Sequence, residues 1–481
     1  MFSFSTDIER LEKADDKRLD NIITVTLNAL ADRIENKKKV LDDITGGGKT
    51  ANRHTHALID AITTYLDESF VDAIAVPNYV QKQKSCQDIF VFVGSHWKQV
   101  VHQQFIDFIR GCCRRLGLDE TYVGDCAFMN RLIEQLTFRR SQYNPRSVPK
   151  GEVWINLMNG TLEIYNDRNV MFRKHRPEDF FTYCLPYAYD KKAECPKWLA
   201  FLHRVMPEQE MQLLLAEYVG YCFTKNLKLE KMAVFYGTGC NGKSVTMDVI
   251  ENVMGKENVS HVSLSAVTTD DEKRVLLDDK LVNISPESSK DIDSAMLKQI
   301  ISGEPVSVRK LYVGSYVIRD YAKLITSFNV LPPSERTYGY YRRWLLFPFR
   351  VTIPKDEQDV NLVSKLCEEL PGIMNWVLEG LGRLIANKSF TSSELCTQAL
   401  YEYQKRSNSA LMFLTERCKI DDSVKNKLKD LYSSYSLFCN EEGIMNKMNK
   451  RNFKEQLESY GGQSRLMHGN VYYNVFVEKY E

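Results

Sequence analysis

The sequence predicts an α/β fold: a parallel-sheet P-loop core, a mainly helical N-terminal region, and a winged-helix-like module at the C-terminal end. Three observations predict it. The apolar run Met232-Ala-Val-Phe-Tyr236 leads directly into Gly237-Thr-Gly-Cys-Asn-Gly242-Lys243-Ser244, which fits G-x-x-x-x-G-K-[ST] at every fixed position. Leu19, Ile22, Ile23, Val25, Leu27, Leu30 and Ile34 recur at helical spacing among charges, and residues 56–70 continue the pattern. The tail places a basic helix before Gly461-Gly462 and two short β runs.

The glycine-rich string has the setting its chemistry requires. A buried strand precedes it, and a helical pattern follows, with Val245, Val249, Val253 and Met254 on one face and Gly255 as the stop. The glycines let backbone N–H groups of Gly237, Thr238, Gly239, Cys240, Asn241 and Gly242 converge on phosphate oxygens at the positive end of a helix. Lys243 then reaches the β- and γ-phosphates of ATP, and the Ser244 hydroxyl ligates Mg²⁺. A second string, Thr45-Gly-Gly-Gly48-Lys49-Thr50, has Asp43 where the first glycine belongs. Its approach, Lys37 to Ile44, is too charged for a central strand, so it reads as a loop between helices.

Composition bounds the rest. The chain has 481 residues, 43% hydrophobic and 26% charged, enough for several domains with ordinary cores. The net charge of +1 means that any nucleic-acid contact rests on local basic patches. The 12 cysteines include no C-x-x-C pair, so neither a zinc site nor a disulfide framework is expected. No apolar run approaches the ~18 residues that span a bilayer, so no membrane partner is expected and the protein reads as cytoplasmic, in a bacterial host.

The pattern divides the chain into five expected units. Residues 1–85 form the helical N-terminal region. Residues 86–205 hold an α+β domain with hairpins at Gly94-Ser95 and Asn159-Gly160. Residues 206–352 form the nucleotide module, 353–405 a helical closing segment, and 406–481 the winged-helix-like module.

Within the nucleotide module, Leu281-Val-Asn-Ile284 is a buried-strand candidate followed by Glu287, a carboxylate placed to order Mg²⁺ or polarise water. Val306 to Ile318 alternates on both sides of a turn near Gly314, a hairpin with Arg309, Lys310 and Tyr312 towards its tip. Ala322 to Asn329 is a strand ending in a polar residue, and Arg342-Arg343 precede another, Trp344 to Phe349.

This series resembles the superfamily 3 helicases, AAA+ ATPases of DNA viruses, phages and plasmids. It looks most like the helicase part of phage and plasmid primase-helicases and the poxvirus replication NTPase. Asn159-Gly160, His175-Arg-Pro-Glu178 and Cys195-Pro196-Lys-Trp198 extend the likeness upstream, so that it covers roughly residues 86–352. The resemblance implies that Gly237, Gly242, Lys243 and Ser244 form Walker A, Glu287 is the Walker B acid, and Asn329 is sensor 1. Arg342 or Arg343 is implied as an arginine finger reaching a neighbouring subunit. Lys310 and Tyr312 are implied to grip DNA in a central channel, within a homo-oligomer, a hexameric ring, translocating on single-stranded or forked DNA.

Some features depart from the family. Ser285-Pro286 stand where many viral members carry acids, leaving Asp279 or Glu304 as further carboxylate candidates. Tyr312 replaces a histidine, although a tyrosine can stack on a base for about 1–3 kcal/mol. Residues 1–150 show no primase carboxylate motif, so a separate primase is an expected partner. In the tail, Lys450, Arg451 and Lys454 lie on a basic helix suited to DNA backbone contact. The expected function is an ATP-dependent replicative DNA helicase of a phage or mobile element. An origin-binding AAA+ initiator without processive unwinding and an AAA+ protein remodeller remain as alternatives.

Overall fold

The computed structural model describes residues 19–32, 34, 51–70, 72–75, 89–140, 146–166, 169–225, 227–285, 292–311, 314–332, 338–444, 447–467 and 470–477. The glycine string at 45–50 lies outside them. Helices α1 (Leu19–Asp32) and α2 (Ala51–Ser69) open the described chain. Their apolar stripes, including Leu27, Leu30, Leu58 and Leu66, pack against α3 (His102–Arg115), α4 (Glu120–Val123) and α5 (Cys126–Arg140). Between these helices sits an antiparallel sheet of β1 (Ile74–Ala75), β2 (Phe90–Phe92) and β3 (Trp97–Gln99). The expected hairpin thus gains a third strand, β1, whose two residues are too few to show a period.

A second antiparallel unit follows: β4 (Val153–Leu157), β5 (Gly160–Ile164) and β6 (Val170–Arg173). Leu157 faces Gly160 across the turn. The Asn159 side chain ties that turn to Tyr189, accepting from its N–H at 2.8 Å and donating to its carbonyl at 3.0 Å.

Helices α6 (Pro196–Val205) and α7 (Gln209–Tyr221) lead to the central sheet. Its elements are β7 (Met232–Tyr236), α8 (Lys243–Met254), β8 (Val259–Ser260), α9 (Leu264–Thr269), α10 (Asp271–Arg274) and β9 (Val282–Ser285). They continue through α11 (Ser294–Ile301), β10 (Val306–Lys310), β11 (Gly314–Ile318), β12 (Lys323–Phe328), α12 (Tyr338–Tyr341) and β13 (Trp344–Pro348). Five strands pair in parallel in the order β13-β7-β12-β9-β8, while β10 and β11 form a separate antiparallel ribbon. Met232 to Phe235 are fully buried, as a strand covered on both faces requires.

Helices α13 (Leu362–Cys367), α14 (Leu370–Asn387) and α15 (Glu394–Ser407) pack beside this sheet. One apolar cluster runs from Ile155 and Leu162 through Trp198 and Leu214 to Phe235, Met374 and Leu381. Helices α7 and α14 approach each other closely within it. A Cβ added at Gly380 would lie 2.5 Å from the Ala216 carbonyl carbon. Nearby, the fully buried Glu217 carboxylate accepts from Thr391 N–H and Oγ1, both at 2.6 Å, and from Arg383 at 3.3 Å. Gly380→Leu is therefore expected to destabilise the protein by about 1–3 kcal/mol or more through overpacking. Thermal denaturation checks it, and an unchanged midpoint would remove the close α7–α14 approach from the account.

The chain ends in α16 (Ser409–Arg417), β14 (Cys418–Ile420), β15 (Asn426–Lys427), α17 (Leu428–Glu441), α18 (Lys450–Ser459), β16 (Ser464–Met467), β17 (Asn470–Tyr473) and β18 (Val475–Val477). Phe413, Leu431, Tyr435, Phe453 and Tyr473 give this segment its own apolar cluster. Strand β17 pairs with β15 and β16, and β18 with β14. The whole is a mixed α/β structure with a parallel sheet and helical regions. Among the described residues, no helix is long and apolar enough to cross a membrane.

Candidate active site

The glycine-rich loop leaves the carboxyl end of β7 and enters α8. Gly237 N–H donates to Phe328 O at 3.2 Å, fastening the loop's start to the end of β12. Ile353 N–H donates to Cys240 O at 2.8 Å, and the Asn241 amide donates to Phe349 O at 3.2 Å. Gly242 has φ 89° and passes against α6, where an added Cβ would lie 2.7 Å from Val205 Cγ1. Both constraints select glycine there.

Lys243 is the first residue of α8 and only 7% exposed, because its chain folds back over the loop. Its Nζ donates to Gly237 O at 2.5 Å, Asn241 Oδ1 at 3.2 Å and Asn329 Oδ1 at 3.4 Å. Residues that the sequence separates widely, Lys243 and Asn329, thus meet over adjacent strand ends. Thr238, Cys240 and Ser244 are exposed.

A triphosphate fits this arrangement. No side chain caps the N-terminus of α8, so the helix presents its first N–H groups outward. A Cβ at Gly239 would meet nothing within 4 Å, which leaves the loop open on that side. Ser244 offers an oxygen for Mg²⁺. Among the described residues, no group of three His, Cys, Asp or Glu side chains could hold a metal by itself.

Strand β9 ends at Ser285, paired in register with Thr326 of β12. The buried hydroxyls of both lack hydrogen-bond partners among the described residues. Glu287 follows two residues on and lies outside the described residues. Asp279 and Glu304 are corrected by the structure. Asp279 precedes β9, and Glu304 precedes the β10–β11 ribbon, with its carbonyl accepting from Tyr321 OH at 2.7 Å just before β12. Both lie at the amino edge of the sheet, opposite the loop, because a residue's distance along the chain from a strand does not say which end it faces.

Arg342 and Arg343 also sit at that amino edge, just before β13. Their environments differ. The Arg342 side chain is 41% exposed and pairs with Glu230 at 2.5 Å. Arg343 is 12% exposed and donates to Gly339 O at 2.5 Å and Ser302 Oγ at 2.9 Å, with Glu230 at 3.3 Å. Five residues of β7 at ~3.3 Å each put roughly 16 Å between these arginines and the same chain's loop.

The β10–β11 ribbon aligns Lys310 with Gly314 and leaves Arg309 and Lys310 exposed at its end. Tyr312, which follows β10 in sequence, lies outside the described residues. Arg309 is 3.8 Å from Glu272. The buried Arg274 donates to Ser307 O at 2.9 Å and to Val267 O at 2.7 Å, holding the root of the ribbon to α9 and α10. In α18, Lys450 and Arg451 are exposed and Lys454 half-exposed. Arg451 and Lys454 contact Glu455 and Glu458 at 3.6 and 3.7 Å, which offsets part of the helix's positive charge.

Sequence reasoning missed Arg350 and Arg406. An open cleft over the loop is lined by Gly237, Thr238, Asn329, Arg350, Glu402 and Arg406. Helix α15 brings Arg406 there, and Tyr403 OH donates to Pro332 O at 2.7 Å, anchoring that helix to the chain after Asn329. Neither arginine lies in a recognisable motif, so no local signal marked them.

Three family models match the chain: D5 N terminal like over residues 61–207, a family of unknown function (DUF5906) over residues 235–343, and poxvirus D5 protein-like over residues 405–476. The chain is 22% identical over 327 residues to "Putative helicase L207/L206" of Acanthamoeba polyphaga mimivirus, covering 61% of this chain and 34% of that protein. It thus spans about a third of that relative's length. Among solved structures, the apo C-terminal region of NrS-1 is similar at 11% identity, covering 87% of this chain and 99% of that one, with a TM-score of 0.43. A second structure of that region covers 68% of this chain and 96% of that one, at 12% identity and a TM-score of 0.34. The D5-type matches on either side of the glycine-rich loop and the viral helicase relative support a superfamily 3-like helicase.

Proposed function

We propose that this chain is an ATP-driven replicative DNA helicase, encoded by a virus, phage or mobile element, that acts as a ring on single-stranded or forked DNA. The meeting of Lys243 and Asn329 at the carboxyl ends of β7 and β12 carries the reading. The strand order supports it, since ligands of open parallel sheets bind outside the carboxyl ends of the strands. Lys243 and the loop N–H groups hold the triphosphate, and Asn329 responds to its γ-phosphate. Ser244 and Glu287 would hold Mg²⁺, which would supply positive charge beside the phosphates. Arg342 completes the site of the next protomer.

The β10–β11 ribbon, with Lys310 and Tyr312 at its end, grips the strand by phosphate neutralisation and stacking. The C-terminal order of a helix, two short strands, two helices and three strands supports a winged helix, with Lys450 and Arg451 towards DNA. A separate primase supplies primers on this reading.

Strand displacement from a forked substrate with ATP tests the proposal. An initiator hydrolyses ATP without displacing the strand, and a protein remodeller hydrolyses it indifferently to single-stranded DNA. The variant Lys310→Ala with Tyr312→Ala is expected to lose displacement and the stimulation of hydrolysis by DNA, with a stacking loss of about 1–3 kcal/mol per base. Normal displacement by this variant, with an unchanged melting midpoint, takes the ribbon out of the mechanism.

A further inference from the structure

The amino edge of the parallel sheet contains a cavity of about 210 Å³, on the side away from the glycine-rich loop. Lys225, Lys228, Lys231, Lys280, Arg319 and Lys323 line it, against two carboxylates, Asp279 and Asp320. Three of the lysines already donate to neutral carbonyls: Lys228 to Gly303 at 2.8 Å, Lys231 to Arg342, and Lys280 to Glu257. Carbonyl oxygens satisfy the donors but leave the charge uncancelled. Among the described residues, none of the five lysines makes an ion pair.

Lys323 is the most exceptional of them. It opens β12 in the middle of the sheet, is half-buried, and rests its ammonium 4.6 Å from the centre of the Tyr221 ring. Among the described residues, its ammonium makes no hydrogen bond. Burial, with Lys228 nearby, holds it below the ordinary lysine range. Burial lowers Lys231 as well, with Arg342 adding to the effect. A fold that crowds five lysines and an arginine around two carboxylates leaves the cations short of negative charge.

We propose that this cavity binds a phosphate group, with Lys323 as its central ligand and Lys225 and Lys228 at its mouth. A phosphate supplies several acceptor oxygens and the charge that the carbonyls cannot. It comes either from a free nucleotide or pyrophosphate, or from the backbone of a nucleic-acid strand held at the β10–β11 ribbon, whose root at Pro305 and Arg319 adjoins the cavity. The site is distinct from the loop at Gly237, which opens on the opposite edge.

Two measurements on the full chain test the proposal. Pyrophosphate binding is followed by calorimetry in a Lys243→Ala background, where the loop's own hold on phosphate is weakened. Single-stranded oligonucleotide binding is followed by fluorescence anisotropy across salt concentrations. Lys323→Met, which keeps the chain length and removes the charge, is expected to weaken one of them. A fall in pyrophosphate affinity of roughly tenfold, the scale of a charge-assisted hydrogen bond, identifies a free phosphate. A salt slope shallower by about 0.7 identifies a strand phosphate.

Lys323→Arg is expected to retain the affected binding. Both measurements unchanged, with the variant folded, overturn the site. If Lys323→Met does not fold, the exposed pair Lys225→Ala with Lys228→Ala takes its place. Unchanged binding of both probes by that pair is equally fatal to the proposal.

Discussion

Lys243→Ala is expected to bring ATP hydrolysis close to background, a fall of at least about 10²–10³, the scale seen when one preorganised electrostatic contact to a transition state is lost. The structure adds a detail to this expectation. Lys243 also has protein partners: its Nζ bonds Gly237, Asn241 and Asn329 and holds the loop folded over itself. The alanine variant therefore also loses about 1–3 kcal/mol of the loop's own cohesion, and its melting midpoint without nucleotide falls modestly. Adding ATP should raise the midpoint of the wild type and leave that of the variant nearly still, because only a bound ligand shifts the folding equilibrium. Turnover by Lys243→Ala at the wild-type rate would reject the assignment of this loop to ATP.

The two arginines are expected to separate. Arg342→Ala removes an exposed ion pair worth about 0–1 kcal/mol, so its stability stays near wild type. Its hydrolysis is expected to fall by about 10³–10⁵, the contribution of an arginine that neutralises transition-state charge. Arg343→Ala instead strands the Gly339 carbonyl and the Ser302 hydroxyl, and about 1.5–3 kcal/mol of charge-assisted hydrogen bonding goes with it. Its main effect is therefore a lower melting midpoint.

Mixing Arg342→Ala with Lys243→Ala subunits is expected to recover part of the activity, because some contacts then pair an intact loop with an intact arginine. No recovery after proven subunit exchange would count against an arginine acting between subunits. The reverse pattern, with Arg343→Ala inactive but stable, would move the role to Arg343.

The parts legible in the sequence are those whose chemistry is local. Gly242 is fixed by its own φ and by Val205 against it, and the string around it is contiguous, so the motif shows in a single stretch. The turn at Asn159-Gly160 and the ribbon around Gly314 show for the same reason, since each is fixed by neighbours in the chain. Strands β1 and β8 have two residues each, too few for any period to appear.

The convergence at the site is a property of the sheet. That Asn329 meets Lys243, while Asp279 and Glu304 face the other edge, follows from strand direction and order, which the spacing of residues along the chain does not contain. The difference between Arg342 and Arg343 depends on Ser302 and Glu230, distant in sequence. The cation-lined cavity around Lys323 is assembled from five separate stretches, each of which alone reads as an ordinary charged surface.

The opposed placement of the Gly237 loop and Arg342 also restricts how copies of this chain can combine productively. A two-fold dimer joins them only if one self-complementary patch holds both, loop to arginine and arginine to loop, and it then closes with two sites. A head-to-tail contact instead joins the carboxyl edge of one copy to the amino edge of the next. Each added subunit then contributes one complete site, and a chain of such contacts either closes on itself or grows as a helical filament. On this reading, dilution below the assembly threshold silences hydrolysis in every subunit while each remains folded, so specific activity becomes a direct gauge of how many contacts have formed.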